Sequence, residues 1–146
     1  MCKLCADFQA VNSEAFGENL LNMINLGTLS LMVSVGHRTG LFDTMSGMGY
    51  VTSGELASKA GLNERYVREW LGAMAAGGIV DITDDGNRFH LPEEHAAFLT
   101  RKAGADNIAV FSQYVATLGS VEDRIVDCFK NGGGVAYEEY NRFHEV

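Results

Sequence analysis

The sequence predicts a mainly α fold with a small β-hairpin. Three observations lead there. Apolar residues recur at helical spacing through most of the 146 residues. One pair of short runs, Ile79-Val80-Asp81-Ile82 and Arg88-Phe89-His90-Leu91, flanks the turn signal Asp85-Gly86. Residues 51–92 then set two short helices, a tight turn and that hairpin in succession. This is the element order of a winged helix-turn-helix, here with extra N- and C-terminal helices.

Hydrophobic residues make up 47% of the chain, so one domain can bury a core and disorder is not expected. The formal net charge is −8, a sign that repels a phosphate backbone unless positive charge is concentrated locally. Lysines and arginines are instead scattered, apart from Arg101-Lys102. Three cysteines, Cys2, Cys5 and Cys128, form no disulfide framework. The N-terminus lacks a basic segment followed by an apolar run. Leu20 to Val35, broken by Asn22, Asn25, Gly27, Ser30 and Ser34, reads as too short for a membrane span. The expectation is a cytoplasmic protein with no membrane partner.

Residues 1–12 read as a flexible lead-in. Asn12 or Ser13 can cap a long helix starting near Glu14, with Phe16, Leu20, Met23, Ile24 and Leu31 at helical spacing. From Leu26 onward its apolar residues spread all round, so it must be covered on all sides. Two readings follow: a central core helix, or a helix with one side in a dimer interface. Gly36-His37-Arg38-Thr39-Gly40 ends it, and Leu41-Phe42-Asp43 opens a short connection. Met45 to Tyr50, with Gly47 and Gly49, reads as a loop.

Thr52 and Glu55 form a capping box, and Gly61 stops the helix they begin. Asn63 caps the next helix, Glu64 to about Ala76, whose buried stripe is Val67, Trp70, Leu71 and Met74. Glu64–Arg68 and Arg65–Glu69 are charge pairs one turn apart. Gly77-Gly78 ends that helix and the hairpin follows. Pro92 closes the second strand, and Glu93-Glu94 open a helix to about Thr100. Asp106 is expected to cap a helix with Ile108, Phe111, Val115 and Leu118 inward. Ser120 is expected to cap another, with Val121, Ile125, Val126 and Phe129 inward. Asn131-Gly132-Gly133-Gly134 reads as a hinge, and Tyr137, Tyr140 and Phe143 begin a final helix. The domain proper is thus residues 13–130, with 131–146 a hinge and the start of a linker helix.

Several residues invite chemistry. Arg65 and Arg68 on the second helix of the motif are where a DNA reader would make contact. However, residues 51–92 hold Lys59, Arg65, Arg68 and Arg88 against Glu55, Glu64, Glu69, Asp81, Asp84 and Asp85, a net −2, and the wing tip is acidic. Nucleic acid is not the expected partner. Cys2-x-x-Cys5 is half a zinc site without a second half. Gly132-Gly133-Gly134 follows a helix and precedes no Lys-Ser/Thr, so it is a hinge rather than a phosphate loop. His37, His90, His95 and His144 sit at surface or helix-end positions, and His90 is expected to face solvent. No residue is assigned as catalytic or metal-binding. Tyr137, Tyr140 and Phe143, with Arg142 and His144, form a terminal aromatic cluster. It reads as an amphipathic helix on the core or as a lid over a ligand.

One stretch, Leu62-Asn63-Glu64-Arg65-Tyr66-Val67-Arg68-Glu69-Trp70-Leu71-Gly72-Ala73-Met74, resembles a known family. So do Gly36-His37-Arg38-Thr39-Gly40-Leu41-Phe42-Asp43, Leu91-Pro92-Glu93-Glu94-His95-Ala96, and the run from Asn131-Gly132-Gly133-Gly134-Val135 to Arg142-Phe143-His144-Glu145-Val146. The chain from about Asn19 is similar to the N-terminal winged-helix half of two-domain class I S-adenosylmethionine-dependent methyltransferases. In that family a doubly wound catalytic domain with a Gly-rich cofactor loop follows. No such loop is present here, so the resemblance implies a truncated or split methyltransferase that binds no cofactor and catalyses nothing alone. S-adenosylmethionine and a small-molecule methyl acceptor would serve the full-length family. For these residues the resemblance implies homodimerisation through the first long helix and one wall of a substrate site. Tyr137, Tyr140, Phe143 and His144 would cover substrate or cofactor. The alternatives are a stand-alone transcriptional regulator that binds DNA through Arg65 and Arg68, and an interaction protein that dimerises with a full-length relative.

Overall fold

A computed structural model describes residues 13–146. The lead-in 1–12, Cys2, Cys5 and the side chains of the expected cap at Asn12 or Ser13 lie outside the described residues. Helix α1 (Ser13–Thr39) passes into α2 (Leu41–Met45) through Gly40 at φ 72, a left-handed turn open to glycine at no steric cost. Next come α3 (Ser53–Ala60) and α4 (Glu64–Ala76), the two helices of the predicted motif. The capping box forms as expected: the Glu55 amide donates to the Thr52 hydroxyl, and the Thr52 amide donates to the Glu55 carboxylate at 2.7 Å. Gly61 at φ 66 ends α3, and Asn63 accepts from the Arg65 amide to start α4. Ser53 donates to Glu64 at 2.7 Å and ties the two helices together across the turn.

The wing is shorter than predicted. Only Asp81–Ile82 (β1) and Phe89–His90 (β2) pair, antiparallel, with Asp81 opposite His90 and Ile82 opposite Phe89. The reason is local. The amides of Ile79 and Val80 both donate to the Met74 carbonyl, so these residues finish the α4 terminus instead of joining the ladder. Val51 bridges to the other side of Phe89 and gives the hairpin a third edge. At the tip the Gly86 amide donates to the Thr83 carbonyl, the turn expected from Asp85-Gly86. Helix α5 (Glu93–Leu99) follows Pro92.

These elements enclose one core. Phe42, Leu56, Leu71 and Met74 are fully buried, and Val67, Trp70, Val80, Phe89 and Leu91 close around them. The predicted stripe of α4, Val67, Trp70, Leu71 and Met74, is buried throughout.

Beyond α5 the sequence reading needs correction. Residues 101–112 form two 3₁₀ segments, Arg101–Asp106 and Ile108–Ser112, before α6 (Gln113–Gly119). Asp106 caps no helix here, and Gly104 at φ 60, ψ −122 breaks the path. The expected face is also reversed: Ile108, Phe111, Val115 and Leu118 are exposed, while Ala109, Gln113 and Thr117 are buried. Helix α7 (Glu122–Asn131) starts after Val121 and not at a Ser120 cap. Its Val126 and Phe129 face outward, Phe129 with 89% of its surface exposed. The final stretch is two 3₁₀ turns, Tyr137–Glu139 and Phe143–Glu145, in place of a helix. Aromatic residues three apart fit the 3.0-residue turn of a 3₁₀ segment as well as an α-helix.

The first helix is not a central core helix. Ser34, Gly36 and His37 are buried, but Phe16, Leu20, Leu21, Met23, Ile24 and Leu26 are each at least 45% exposed. Nor is it too short for a membrane span by length and composition, since an 18-residue window within Ala15–Thr39 has a mean hydropathy of 1.2. Its last turns are docked, however. The docking begins at Leu29, which packs against Gly77 and the core.

Candidate functional site

The winged helix fixes α1 at one end through Trp70. Its indole N–H donates to the Met32 carbonyl at 2.9 Å, and its ring meets Phe42 edge-on at 5.1 Å. Both rings press on the backbone of Gly36, where a Cβ would lie 2.5 Å from Trp70 and 2.7 Å from Phe42. A second close approach comes at Gly77, where a Cβ would lie 2.5 Å from Leu29. These contacts anchor the C-terminal half of α1 and leave the rest standing clear of the domain. Between them runs a groove of about 540 Å³, lined by Asn22, Asn25, Leu26, Leu29, Met32, Ala73, Ala76 and Gly77. It carries no charged side chain, and no charged residue falls between Glu18 and Arg38 on α1.

A second apolar surface lies on residues 108–118. Their buried side packs on α1, and Phe111, Val115 and Leu118 point away from it, half-exposed. An exposed Leu or Phe by itself means little, but contiguous apolar patches of this kind mark interaction surfaces.

The terminal aromatics come together as the sequence reading expected, although not on a helix. Tyr137 meets Phe143 edge-on at 5.1 Å and stacks on His144 at 6.1 Å; Tyr140 lies 5.9 Å from Phe143. Tyr114 of α6 joins them 5.8 Å from Phe143 and stacks on Phe111. A cleft of about 200 Å³ lies among Leu118, Val135, Tyr137, Tyr140 and Phe143. One ion pair ties the segment down: Arg124 donates to Glu139 at 2.9 Å. The Arg124 side chain and the Ala136 amide hold the Glu139 carboxyl below its usual range. Gly132 at φ 76 and Gly133 at φ 97 let the chain turn back after α7.

The remaining predicted positions scatter. Arg65 and Arg68 are exposed on α4, with Arg68 3.9 Å from Glu64 and Arg65 over the ring of Tyr66. Arg88 at the wing sits 3.7 Å from Glu55. His90 does not face solvent fully: it is half-buried, 3.7 Å from Asp81 and against the ring of Tyr50. His95 places Nδ1 2.9 Å from the Ile79 carbonyl. Cys128 is half-buried and unpaired by any disulfide among the described residues. Among the same residues, no group of three His, Cys, Asp or Glu side chains stands close enough to hold a metal.

The family model of the Rv2258c-like winged HTH domain matches residues 27–101, just over half of the chain. The chain belongs to this family. No curated protein sequence matches it. Three solved structures share the fold of this winged HTH chain. PigF with SAH is 17% identical with a TM-score of 0.64, over 83% of this chain and 34% of its own. The mitomycin 7-O-methyltransferase MmcR is 16% identical with a TM-score of 0.66, over 91% and 38%. Human N-acetylserotonin methyltransferase in complex with SAM is 14% identical with a TM-score of 0.65, over 90% and 38%. At such identities the likeness is one of fold. The chain spans little more than a third of the length of these methyltransferases. The resemblance read from the sequence is borne out at that level.

Sequence reasoning missed Tyr114, Phe111, Leu118 and Val135 as partners of the terminal aromatics. Only the fold-back after Gly132 brings them together, and nothing in their spacing signals it. It also missed the node formed by His37, Asp43 and Arg101, whose members lie up to 64 residues apart.

Proposed function

We propose that this chain is the dimerisation and substrate-lid module of an S-adenosylmethionine-dependent methyltransferase. The methyl transfer belongs to a domain outside these residues, and they are inactive by themselves. The observation that carries the reading is the uncovered apolar half of α1. Phe16, Leu21, Met23, Ile24 and Leu26 each leave more than half of their surface in water. The residues that would meet the partner, Leu20, Leu21, Met23, Ile24 and Leu26, lie beside the uncharged groove over Ala73, Ala76 and Gly77. One surface thus supplies both projections and recess, as a two-fold interface requires. The aromatic cluster of Tyr137, Tyr140, Phe143 and His144 supports the lid role, because its cleft is mostly apolar and it is held by ring contact with Tyr114 and one exposed ion pair. The fold shared with three methyltransferases supports the reaction class.

Light scattering on the chain tests the reading. The expected mass is that of a dimer, and Leu21→Glu combined with Ile24→Glu is expected to give a folded monomer. A wild-type monomer at tens of micromolar would overturn the dimer role. For the DNA-reading alternative, Arg65 and Arg68 are exposed, but Glu64 stands beside Arg68 and Glu55 beside Arg88. Binding to duplex DNA that weakens steeply with salt would favour that alternative over ours.

A further inference from the structure

The junction where α1 meets the segment after α5 is built from three titratable side chains. Arg101 donates its backbone N–H to one oxygen of Asp43 at 2.6 Å and its guanidinium to the other. The same guanidinium donates to the carbonyl of His37 at 2.7 Å. His37 is 9% exposed as a residue, and its buried Nδ1 has no hydrogen-bond partner among the described residues. Arg101 therefore stitches three elements together: the last turn of α1, helix α2, and the start of the run that carries residues 101–119 back along α1. The stitch takes the carbonyl of His37, the residue whose buried Nδ1 is unpartnered among the described residues.

We propose that His37, Asp43 and Arg101 form an acid-sensitive latch, in which protonation of His37 frees residues 101–119 from α1. A proton on the imidazole puts a second positive charge near the Arg101 guanidinium, on a residue that is itself buried although the Arg101 side chain is half-exposed. Both Asp43 oxygens already accept from Arg101, so a bond from the imidazole to either would be shared with the guanidinium. Around this end of α1, Arg38 adjoins His37, and Lys102 and Asp106 flank the segment that Arg101 begins, all three exposed. Residues 108–119 contribute only Tyr114, whose ring turns to Phe111 and Phe143. Helix α4 presents Trp70 and Ala73 to α1, with its charged side chains outward. The charged imidazole must swing out, or compete for Asp43 and displace Arg101. Either move opens the stitch. In agreement, burial and then the Arg101 charge hold the His37 pKa below its ordinary 6.5, against a smaller opposing effect of Asp43. The sign follows: the unfolded or released chain takes up the proton first. The latch is intact above the ordinary histidine value and weakens as pH falls below it. This proposal stands on the monomer and does not depend on dimerisation.

A pH titration by NMR tests it on the full chain at concentrations where its mass is constant. The His37 ring signal is expected to titrate below 6.5, and the amide signals of residues 101–119 to lose their folded positions with the same midpoint. Residues 64–76 should hold theirs. The open population should rise by up to about tenfold per pH unit below the ordinary value. In His37→Gln, which keeps the carbonyl but cannot titrate, the transition of residues 101–119 should vanish, while Arg101→Met should release them at neutral pH. A His37 midpoint at or above 6.5, or the same acid transition in a folded His37→Gln chain, would overturn the latch. If His37→Gln does not fold, the wild-type midpoints decide alone, since unlinked titrations of ring and amides also overturn it.

Discussion

Two regions of this chain use apolar residues for different ends. In the winged helix, residues 41–99, every large apolar residue of α4's stripe turns inward, and the core reaches zero exposure at Phe42, Leu56, Leu71 and Met74. In the flanking helices the apolar residues are as frequent and as regularly spaced, yet Leu21, Met23, Phe111 and Phe129 are each at least 60% exposed. Composition alone does not separate the two. The difference lies in where the covering surface comes from: within the domain for the first region, and in our account from a second copy or domain for the other.

Substitutions should divide along the same line. Phe42→Ala removes a fully buried ring from its edge contact with Trp70 and is expected to cost about 3–5 kcal/mol by urea unfolding. Gly36→Ala forces a methyl group against Trp70 and Phe42 and should cost about 1–3 kcal/mol. Gly27→Ala, on the same helix with open space around it, should by contrast stabilise the monomer by up to about 1 kcal/mol. A large loss at Gly27 would mean that a neighbour already packs there.

Thr52→Ala removes the α3 cap and should cost about 1 kcal/mol. Part of that cost depends on pH. Donation from the Thr52 amide and hydroxyl holds the Glu55 carboxyl below its ordinary 4.5. Its stabilising contribution is therefore present above that value and lost as pH falls through the lower folded value. The gap between wild type and variant in unfolding experiments should narrow on acidification; a gap that widens would contradict the capping geometry. Smallest of all, Phe129→Ala in α7 should change monomer stability by no more than about 0.5 kcal/mol.

The winged helix was legible because local chemistry and burial agree there. Thr52, Glu55, Gly61 and Asn63 punctuate the helices, and Val67, Trp70, Leu71 and Met74 repeat at the right period. The flanks were misread for two physical reasons. An apolar stripe says that a face is to be covered, and not by what. The Ile108, Phe111, Val115 and Leu118 face was therefore assigned inward, although Gln113 and Thr117 took that place. Long-range anchors also leave no local trace: Asp43 fixes Arg101 across 58 residues, and Gly104 turns the chain out of the helix that an Asp106 cap would start. The terminal aromatics were found as a set and misplaced in conformation. Their spacing of three serves a 3₁₀ turn equally well, and their partner Tyr114 is identified only by the fold-back at Gly132.

The contrast between the two regions rests on residues 16–31 being covered in solution. Hydrogen exchange of their amides across a dilution series tests that most directly. The account predicts strong protection at high concentration that is lost on dilution, while residues 64–76 keep theirs throughout. Exchange in residues 16–31 that is fast at every concentration would contradict it.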